Sequence, residues 1–449
     1  MGDLGLSIAA TGLDAQQVAM DTVAQNLANA NTPGYVRETA NLSATGTMNM
    51  YGVGGGVQVT GVTQAPDGLL AASAQQANGA LAQSTALQQV LSQAQTAFPE
   101  PSSTGFGAQL SAFWQSWDAV AQNPSALAPR TEVVTAAQNL AVSLQQASSQ
   151  ITQLQGNTQS QLSSVITQDN GLLQQVAHLN AQIVAVQSTG ASANSLIDQR
   201  NQVENQLASD LGAVARPASD GSVTISVGGV SLVQGSLADS LTLSGSPGSW
   251  QVMTQTSKVA LPASSGTAAG LLAAANQYLP AYQSQLDAVA NALATTVNSQ
   301  LAAGYTATGA SGAAYPLFQG STAADLTVNP AVVANPQLLA ASSTGTMPDA
   351  ANNGSNAQTM AELFNTVGGP DQSYRTLVQN IGSQVQSANN QVQAQQAVAN
   401  AAQANLQAVD GVSTDQQMVL MLGYQQAYQA SAKVISTVNT MMQSLLASI

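Results

Sequence analysis

The chain has 449 residues, no cysteine and a single histidine, His178, which excludes disulfide staples, Cys-based zinc sites, thiol nucleophiles and His-rich metal centres. Its 7 basic and 21 acidic residues give a net charge of −14. The bases (Arg37, Arg130, Arg200, Arg216, Lys258, Arg375, Lys433) are scattered, so no stripe tracks a phosphate backbone, and the acidic excess opposes an anionic membrane surface; neither nucleic-acid binding nor membrane insertion is expected.

In chain order, the first predicted element is a helix from about Ser7 to Ala28. Leu6, Leu13, Met20 and Leu27 recur every seven residues, a coiled-coil stripe. It stops hard at "NANTPGY". Asn29 or Asn31 can take the left-handed conformation at a helix end, Pro33 cannot extend a helix, and Thr32-Pro33-Gly34-Tyr35 suits a type II turn. Residues 43–68 are Gly-rich and read as an extended connector, with one short strand suggested by Val57, Val59 and Val62. "GVGGG" lacks the following Lys-Ser/Thr of a phosphate loop.

Helix resumes from Leu69 to Phe98, followed by a short aromatic helix with Phe113, Trp114 and Trp117 as core candidates. A long helix then opens near Glu132 and runs to about residue 187. Its apolar positions alternate steps of four and three, from Leu140 to Val186. A helix of that length is a rod about 80 Å long. Within it, His178 reads as a bundle residue. Arg200 and Glu204 have the spacing of an i,i+4 pair, and Asp198, Glu204 and Asp210 read as solvated or locally paired carboxylates.

After Arg216 the period changes to two. Val223, Ile225 and Val227 precede Gly228-Gly229, and Val230 and Leu232 follow, the pattern of a hairpin with a two-residue loop. Leu241, Leu243, Trp250 and Val252 suggest a second hairpin. Helix returns from Gly270 to Ala303, a Gly-, Ala- and Pro-rich stretch covers 304–355, and a second long helix starts near Tyr374. The last helix carries Leu420, Tyr424, Ala427, Ser431, Val434, Val438, Met441 and Leu445, again spaced by four and three.

The expected fold is mainly α with inserted β. It is an elongated, multi-domain chain with an antiparallel, coiled-coil-like pair of terminal helices (1–42 and 412–449). A connector spans 43–68, and a bundle of long helices spans 69–210, 263–303 and 356–411. A small outer β domain (211–262) projects from the shaft, and the irregular insert covers 304–355. A terminal helix with nothing nearby in sequence to pack on must find the other terminus or a neighbouring copy.

Two stretches also resemble a known family. "GLDAQQVAMDTVAQNLANANTPGYVRE" is similar to the N-terminal motif of bacterial flagellar rod, hook and hook-associated proteins. "GVSTDQQMVLMLGYQQAYQASAKVISTVNTMMQSLL" is similar to their C-terminal motif. "SLIDQRNQVENQLASDLGAVARPASDGSVTISVGGVSLVQG" and "GLLAAANQYLPAYQSQLDAVANALATTVNSQLAAGY" resemble segments of the hook-associated protein 1 family. The chain departs from the usual C-terminal motif where Asp415 is followed by Gln416 and Gln417, and its middle is short. The resemblance implies a non-enzymatic structural protein of the hook–filament junction, without a cofactor, assembling into a ring. Hook protein would lie on one side, a second junction protein and the filament on the other. It implies an extracellular, flagellar location, export without a cleavable signal peptide through the flagellar type III apparatus, and a cytoplasmic export chaperone on the C-terminal helix. Leu6, Leu13, Met20, Leu27, Asn29, Asn31, Pro33, Gly34, Tyr35 and the eight positions from Leu420 to Leu445 are the expected assembly interface. A hook or rod subunit is the alternative. A secreted cell-wall hydrolase would need two carboxylates converging in a pocket, whereas the glutamates at 38, 100, 132, 204 and 362 are dispersed.

Overall fold

The computed structural model describes residues 2–32, 34–46, 54–64 and 66–448. It opens with α1 (Gly2–Ala28), then the strands β1 (Glu38–Ala44) and β2 (Val57–Gln64), which pair antiparallel. The connector is therefore a hairpin. β1 is unexpected because its sequence, ETANLSA, has little β-branched content; it is held by β2 and by a side chain of α1.

The bundle follows with α2 (Gly68–Gln95), α3 (Phe106–Gln122), α4 (Leu127–Ser188) and α5 (Asn194–Leu211). Asp67 caps α2 by accepting from the N–H groups of Leu69 and Leu70. Gly212, with φ +68, ends α5 in the left-handed conformation. The 62 residues of α4 make a rod of about 93 Å. Its buried side runs Val133, Ala137, Leu140, Leu144, Ala147, Ile151, Leu154, Thr158, Leu162, Ile166, Asp169, Leu173, Val176, Asn180 and Ile183. The four-and-three spacing is thus borne out from Leu140 to Leu154; the steps from Leu154 to Ile166 are all four, so that Leu162, Ile166 and Leu173 are buried while Val165, Leu172 and Val186 are half-buried, and the buried side includes three polar side chains.

Strands β3 (Val214–Pro217), β4 (Val223–Val227), β5 (Val230–Gln234) and β6 (Leu237–Ala238) form one sheet, and β7 (Leu241–Ser244) pairs with β8 (Gln251–Thr254). Gly228 and Gly229 both have positive φ, at +55 and +88, as the two-residue turn between β4 and β5 demands. These strands do not stand away from the shaft as the sequence suggested. Val223, Ile225, Val227, Leu232, Val233, Leu241 and Val252 belong to the same continuous core as α4.

The next helix is broken into α6 (Gly266–Ala273), a π-helical turn (Ala274–Tyr278) and α7 (Leu279–Ala302). Pro280 has no N–H to give four residues back, and the preceding turn widens so that Leu279 donates to Ala274. The insert holds β9 (Phe318–Gln319), β10 (Thr327–Val328), α8 (Pro330–Ala334) and α9 (Asp349–Asn352), and α10 (Ser355–Ala361) follows it. Arg130, buried at the start of α4, donates to the carbonyls of Pro124 and Leu339 and so fastens the insert to the bundle. The chain returns along α11 (Pro370–Asp410) and closes with α12 (Thr414–Ala447).

One device recurs. A helix-borne asparagine donates through Nδ2 to a backbone carbonyl and accepts through Oδ1 from the N–H of the same residue. The pairs are Asn26 with Glu38, Asn170 with Leu241, Asn180 with Val223, Asn276 with Trp250 and Asn298 with Phe318. Each backbone partner opens a strand or immediately precedes one. The primary amide copies a ladder pair and satisfies the first backbone groups that no neighbouring strand reaches.

Candidate functional site

The termini meet as expected: α1 and α12 pack along each other. Three contacts set an antiparallel register. A β-carbon built on Gly5 would lie 3.9 Å from Val438 Cγ2, one on Gly12 would lie 3.1 Å from Ser431 Oγ, and Asn26 Nδ2 donates to Gln417 Oε1 at 3.1 Å. Stepping seven along α1 steps seven back along α12, which puts Ala19 at the level of Tyr424.

The heptad is therefore real, but its seam lies one residue earlier than the leucines. Gly5, Gly12, Ala19 and Asn26 face α12, where Leu6, Leu13, Met20 and Leu27 were expected. Leu6 is exposed, and Leu13, Met20 and Leu27 are half-buried on the flank. Small side chains let the two helix backbones approach closely, whereas leucines at these levels would hold them apart. On α12, Tyr424, Ala427, Ser431 and Val438 are half-buried, while Leu420, Val434, Met441 and Leu445 remain exposed. The leucine stripes do not pair with each other within one chain.

Asn26 is the centre of the corner and was not singled out from the sequence. It is 1% exposed. Its Oδ1 accepts from Tyr35 Oη at 2.9 Å and from the Glu38 N–H at 2.8 Å; its Nδ2 donates to the Glu38 carbonyl at 2.8 Å and to Gln417. One amide thus joins α1, the corner, β1 and α12 with its hydrogen-bonding capacity filled. Its position on the seam, seven residues after Ala19, was the available signal; a polar residue beside a leucine stripe reads as surface. Of the corner residues that were expected, Asn29 bonds locally, to the Gln25 carbonyl and the Thr32 hydroxyl, and Asn31 is exposed. Gly34 has φ +80 and Tyr35 N–H donates to the Thr32 carbonyl, as a type II turn requires. Pro33 lies outside the described residues.

Below the corner, polar contacts join the hairpin to the bundle. Asn194 donates to Glu38 Oε1 at 2.9 Å, Gln64 to Asp198 Oδ1 at 3.0 Å, and Ser192 to the Val62 carbonyl. Asp410, the last residue of α11, accepts the Asp67 N–H through its carboxylate and the Arg37 N–H through its carbonyl. A cavity of about 280 Å³ between Gln25, Tyr35, Glu38, Asp198 and Gln202 remains in this joint. Burial pushes the Asp198 carboxyl up to about 6, against the lowering effect of Gln64, and burial beside Glu38 and Asp198 pushes the Tyr35 phenol upward. Both carboxylates are engaged by amide donors that bridge separate elements, so they act as fasteners here.

The other carboxylates bear out the expected Arg200–Glu204 pair and correct the solvated reading of Asp210. Glu204 and Asp210 are buried, not solvated, and the Arg200–Glu204 pair, at 3.1 Å, is buried on both sides. Arg200 also donates to Asn180 Oδ1 and to the Gly221 carbonyl.

Comparison with known proteins gives these features a family. Residues 91–318 match the model of the flagellar hook-associated protein FlgK helical domain, just over half of the chain. The chain belongs to the FlgK family. Residues 6–35 match the flagella basal body rod protein model, and residues 409–448 match the C-terminal model of the flagellar basal body rod FlgEFG proteins. Flagellar hook-associated protein 1 of Bacillus subtilis strain 168 is 26% identical over 99% of this chain and 97% of its own length. The protein of the same name from Salmonella typhimurium LT2 is 29% identical over 68% of this chain, and the match spans 57% of that relative. The solved flagellar hook junction protein FlgK of Burkholderia pseudomallei shares the fold, with a TM-score of 0.64, 17% identity, and coverage of 75% of this chain and all of that one. The two rod-type matches fall on α1 with its corner and on α12 with the end of α11, the segments that Asn26 ties together through Gln417.

Proposed function

We propose that this FlgK-family chain is a structural unit of the hook–filament junction of the bacterial flagellum, outside the cell, where copies assemble into a ring through the α1–α12 pair. The observation that carries this reading is the outer side of α12. With α1 packed on α12, Val419, Leu420 and Leu422 near its start, Val434, and Met441, Met442, Leu445 and Leu446 near its end remain between 44% and 71% exposed. Exposed apolar side chains grouped in this way support a contact surface. Leu6, Leu13, Met20 and Leu27 flank the seam and extend it, so the leucine positions serve contacts between copies more than the pairing within one.

On this reading hook protein docks at one side of the ring, and a second junction protein and the filament dock at the other. The α12 strip is also the surface an export chaperone would cover before assembly, with the chain leaving the cell unfolded through the flagellar export apparatus. The rod-type matches at the two ends keep a hook or rod subunit as the second reading; the match over 91–318 favours the junction. Electron microscopy of a strain lacking this chain distinguishes them. Hooks of normal length without filaments are the expected result; loss of the hook itself would support the second reading.

A further inference from the structure

Asp169, two-thirds of the way along α4, is 0% exposed, and neither of its oxygens has a hydrogen-bond partner. Its carboxyl lies beside that of Asp210, near the end of α5, which is 8% exposed and accepts from Gln206 at 2.7 Å. Two carboxylates have no proton to place between them, so this contact requires one of the pair to be an acid. Asp210 has the further donor, Gln206, and Asp169 has none. The proton therefore resides on Asp169, which can then donate to the Asp210 carboxylate.

Among the described residues no cation offsets this pair; around α4, Lys258 after β8 is exposed, Asp287 on α7 accepts from Gln283 and the Ala323 N–H, Tyr282 donates to Gln384, and Tyr278 is half-buried. Of the elements packed on α5, α2 and α6 carry no ionisable residue, and Arg216 on β3 is exposed. On α4, His178 is exposed. On α5 itself Arg200 is engaged by Glu204, Asn180 and Gly221, about 15 Å along the helix from Asp210, and Asp198 faces the joint. Burial, then the charge of the neighbouring Asp210, push Asp169 up to about 8.

The opposite side of α5 carries the joint. Asn194 and Asp198 bond the hairpin, and Gln202 closes against Gly34, where a β-carbon would lie 3.0 Å from its Cγ. We infer that the Asp169–Asp210 pair is a proton-held latch that seats α5 on α4, and that losing the proton loosens α5 and with it the joint to the terminal helices. The sign follows from linkage. Asp169 is held as the acid when α5 is seated and would ionise in the ordinary carboxylate range once α5 is displaced. Seating is therefore strongest below about pH 4, weakens as pH rises, and levels off above about pH 8.

Hydrogen exchange of the full chain tests this, comparing it with Asp169→Asn at each pH. The amide donates to Asp210 without needing a proton, and the ratio of the two chains cancels the intrinsic pH dependence of exchange and the titration of Glu204 and Asp198. For the 194–211 segment the native-to-variant ratio should rise about tenfold per pH unit between about 5 and 8, then level. For the 106–122 segment it should stay constant. A ratio for 194–211 that does not change with pH overturns the latch. Should Asp169→Asn fail to fold, Asp210→Asn makes the same test, since the amide it introduces can donate to Asp169.

Discussion

The bundle and the terminal pair are both built of long helices with heptad-like spacing, yet they bury very different things. The bundle closes around Phe113, Trp117, Leu140, Ile151, Tyr282 and Leu286, each 1% exposed or less. Along α1, the buried side chains of the described residues are Ala9, Ala15, Ala19, Thr22, Val23 and Asn26; along α12, only Gln417 is buried. The spacing of apolar residues thus reports that a helix has a face, and the size of the residues on that face reports whether one chain can complete the packing. Large residues point inward in the bundle. On α1 the small ones point inward and the leucines lie on the flank or outward, and on α12 Leu420, Val434, Met441 and Leu445 stay exposed, which leaves apolar surface for another copy.

That contrast makes core substitutions the most damaging. Trp117 is fully buried, edge-on to Phe113 with ring centroids 6.3 Å apart. Trp117→Ala should cost about 3–5 kcal/mol of global stability, read as a lower urea midpoint with an unchanged slope. A loss under about 1 kcal/mol would mean that the core is not the single unit described.

Next comes the clamp at Asn180. Its amide holds Val223 at the start of β4, donates to the Gly235 carbonyl and accepts from Arg200. Asn180→Ala leaves buried backbone groups and a guanidinium short of partners, at a cost of about 2–4 kcal/mol. The loss should appear first as increased hydrogen exchange in 214–238. Uniform loosening of the whole bundle would argue against a local clamp.

Asn26→Ala applies the same chemistry to the other region and should give the opposite result. The melting of the bundle should move by less than about 0.5 kcal/mol, because nothing Asn26 bonds belongs to the bundle core. Protection of α1, β1 and the first turns of α12 should fall together, since one amide serves all three.

These differences also mark what could be read from the sequence. The rod of α4, the Gly228-Gly229 hairpin and the turn at Gly34 follow from local period and turn chemistry, and the meeting of the termini follows from helices with no local partner. Four features do not. β1 is held by partners distant in sequence, and its own residues have weak strand preference. The break at Pro280 depends on a backbone donor that is missing, inside an otherwise uninterrupted helical pattern. The phase of the α1 seam depends on size, and a hydrophobicity pattern weights leucine over the glycine that makes the contact. Asp169 and Asp210 look like surface carboxylates because the helical period does not rank polar side chains, and for Glu204 the spacing gives the pair with Arg200 but not its burial.

The smallest effect on the isolated chain should accompany the largest effect on assembly, and this sharpens the contrast most. Leu445 is 61% exposed near the end of α12, beyond the level of α1 set by the Gly5–Val438 contact, and Leu13 sits half-buried on the flank of the seam. Neither leaves a cavity when replaced. Leu445→Asp should change the stability of the dilute chain by less than about 0.5 kcal/mol, and Leu13→Asp by only slightly more. If copies pack through these side chains, each new carboxylate would be buried against an apolar neighbour at every repeat of the ring, where an unpaired charge is far more costly than at a surface. Cells carrying either variant should then make hooks but few or no filaments. Removing residues 415–449 should give the same phenotype with an intact bundle melt. Normal filaments on Leu445→Asp cells would show that the exposed side of α12 is not the contact between copies, and would move the search for it to the hairpin and the outer face of the bundle.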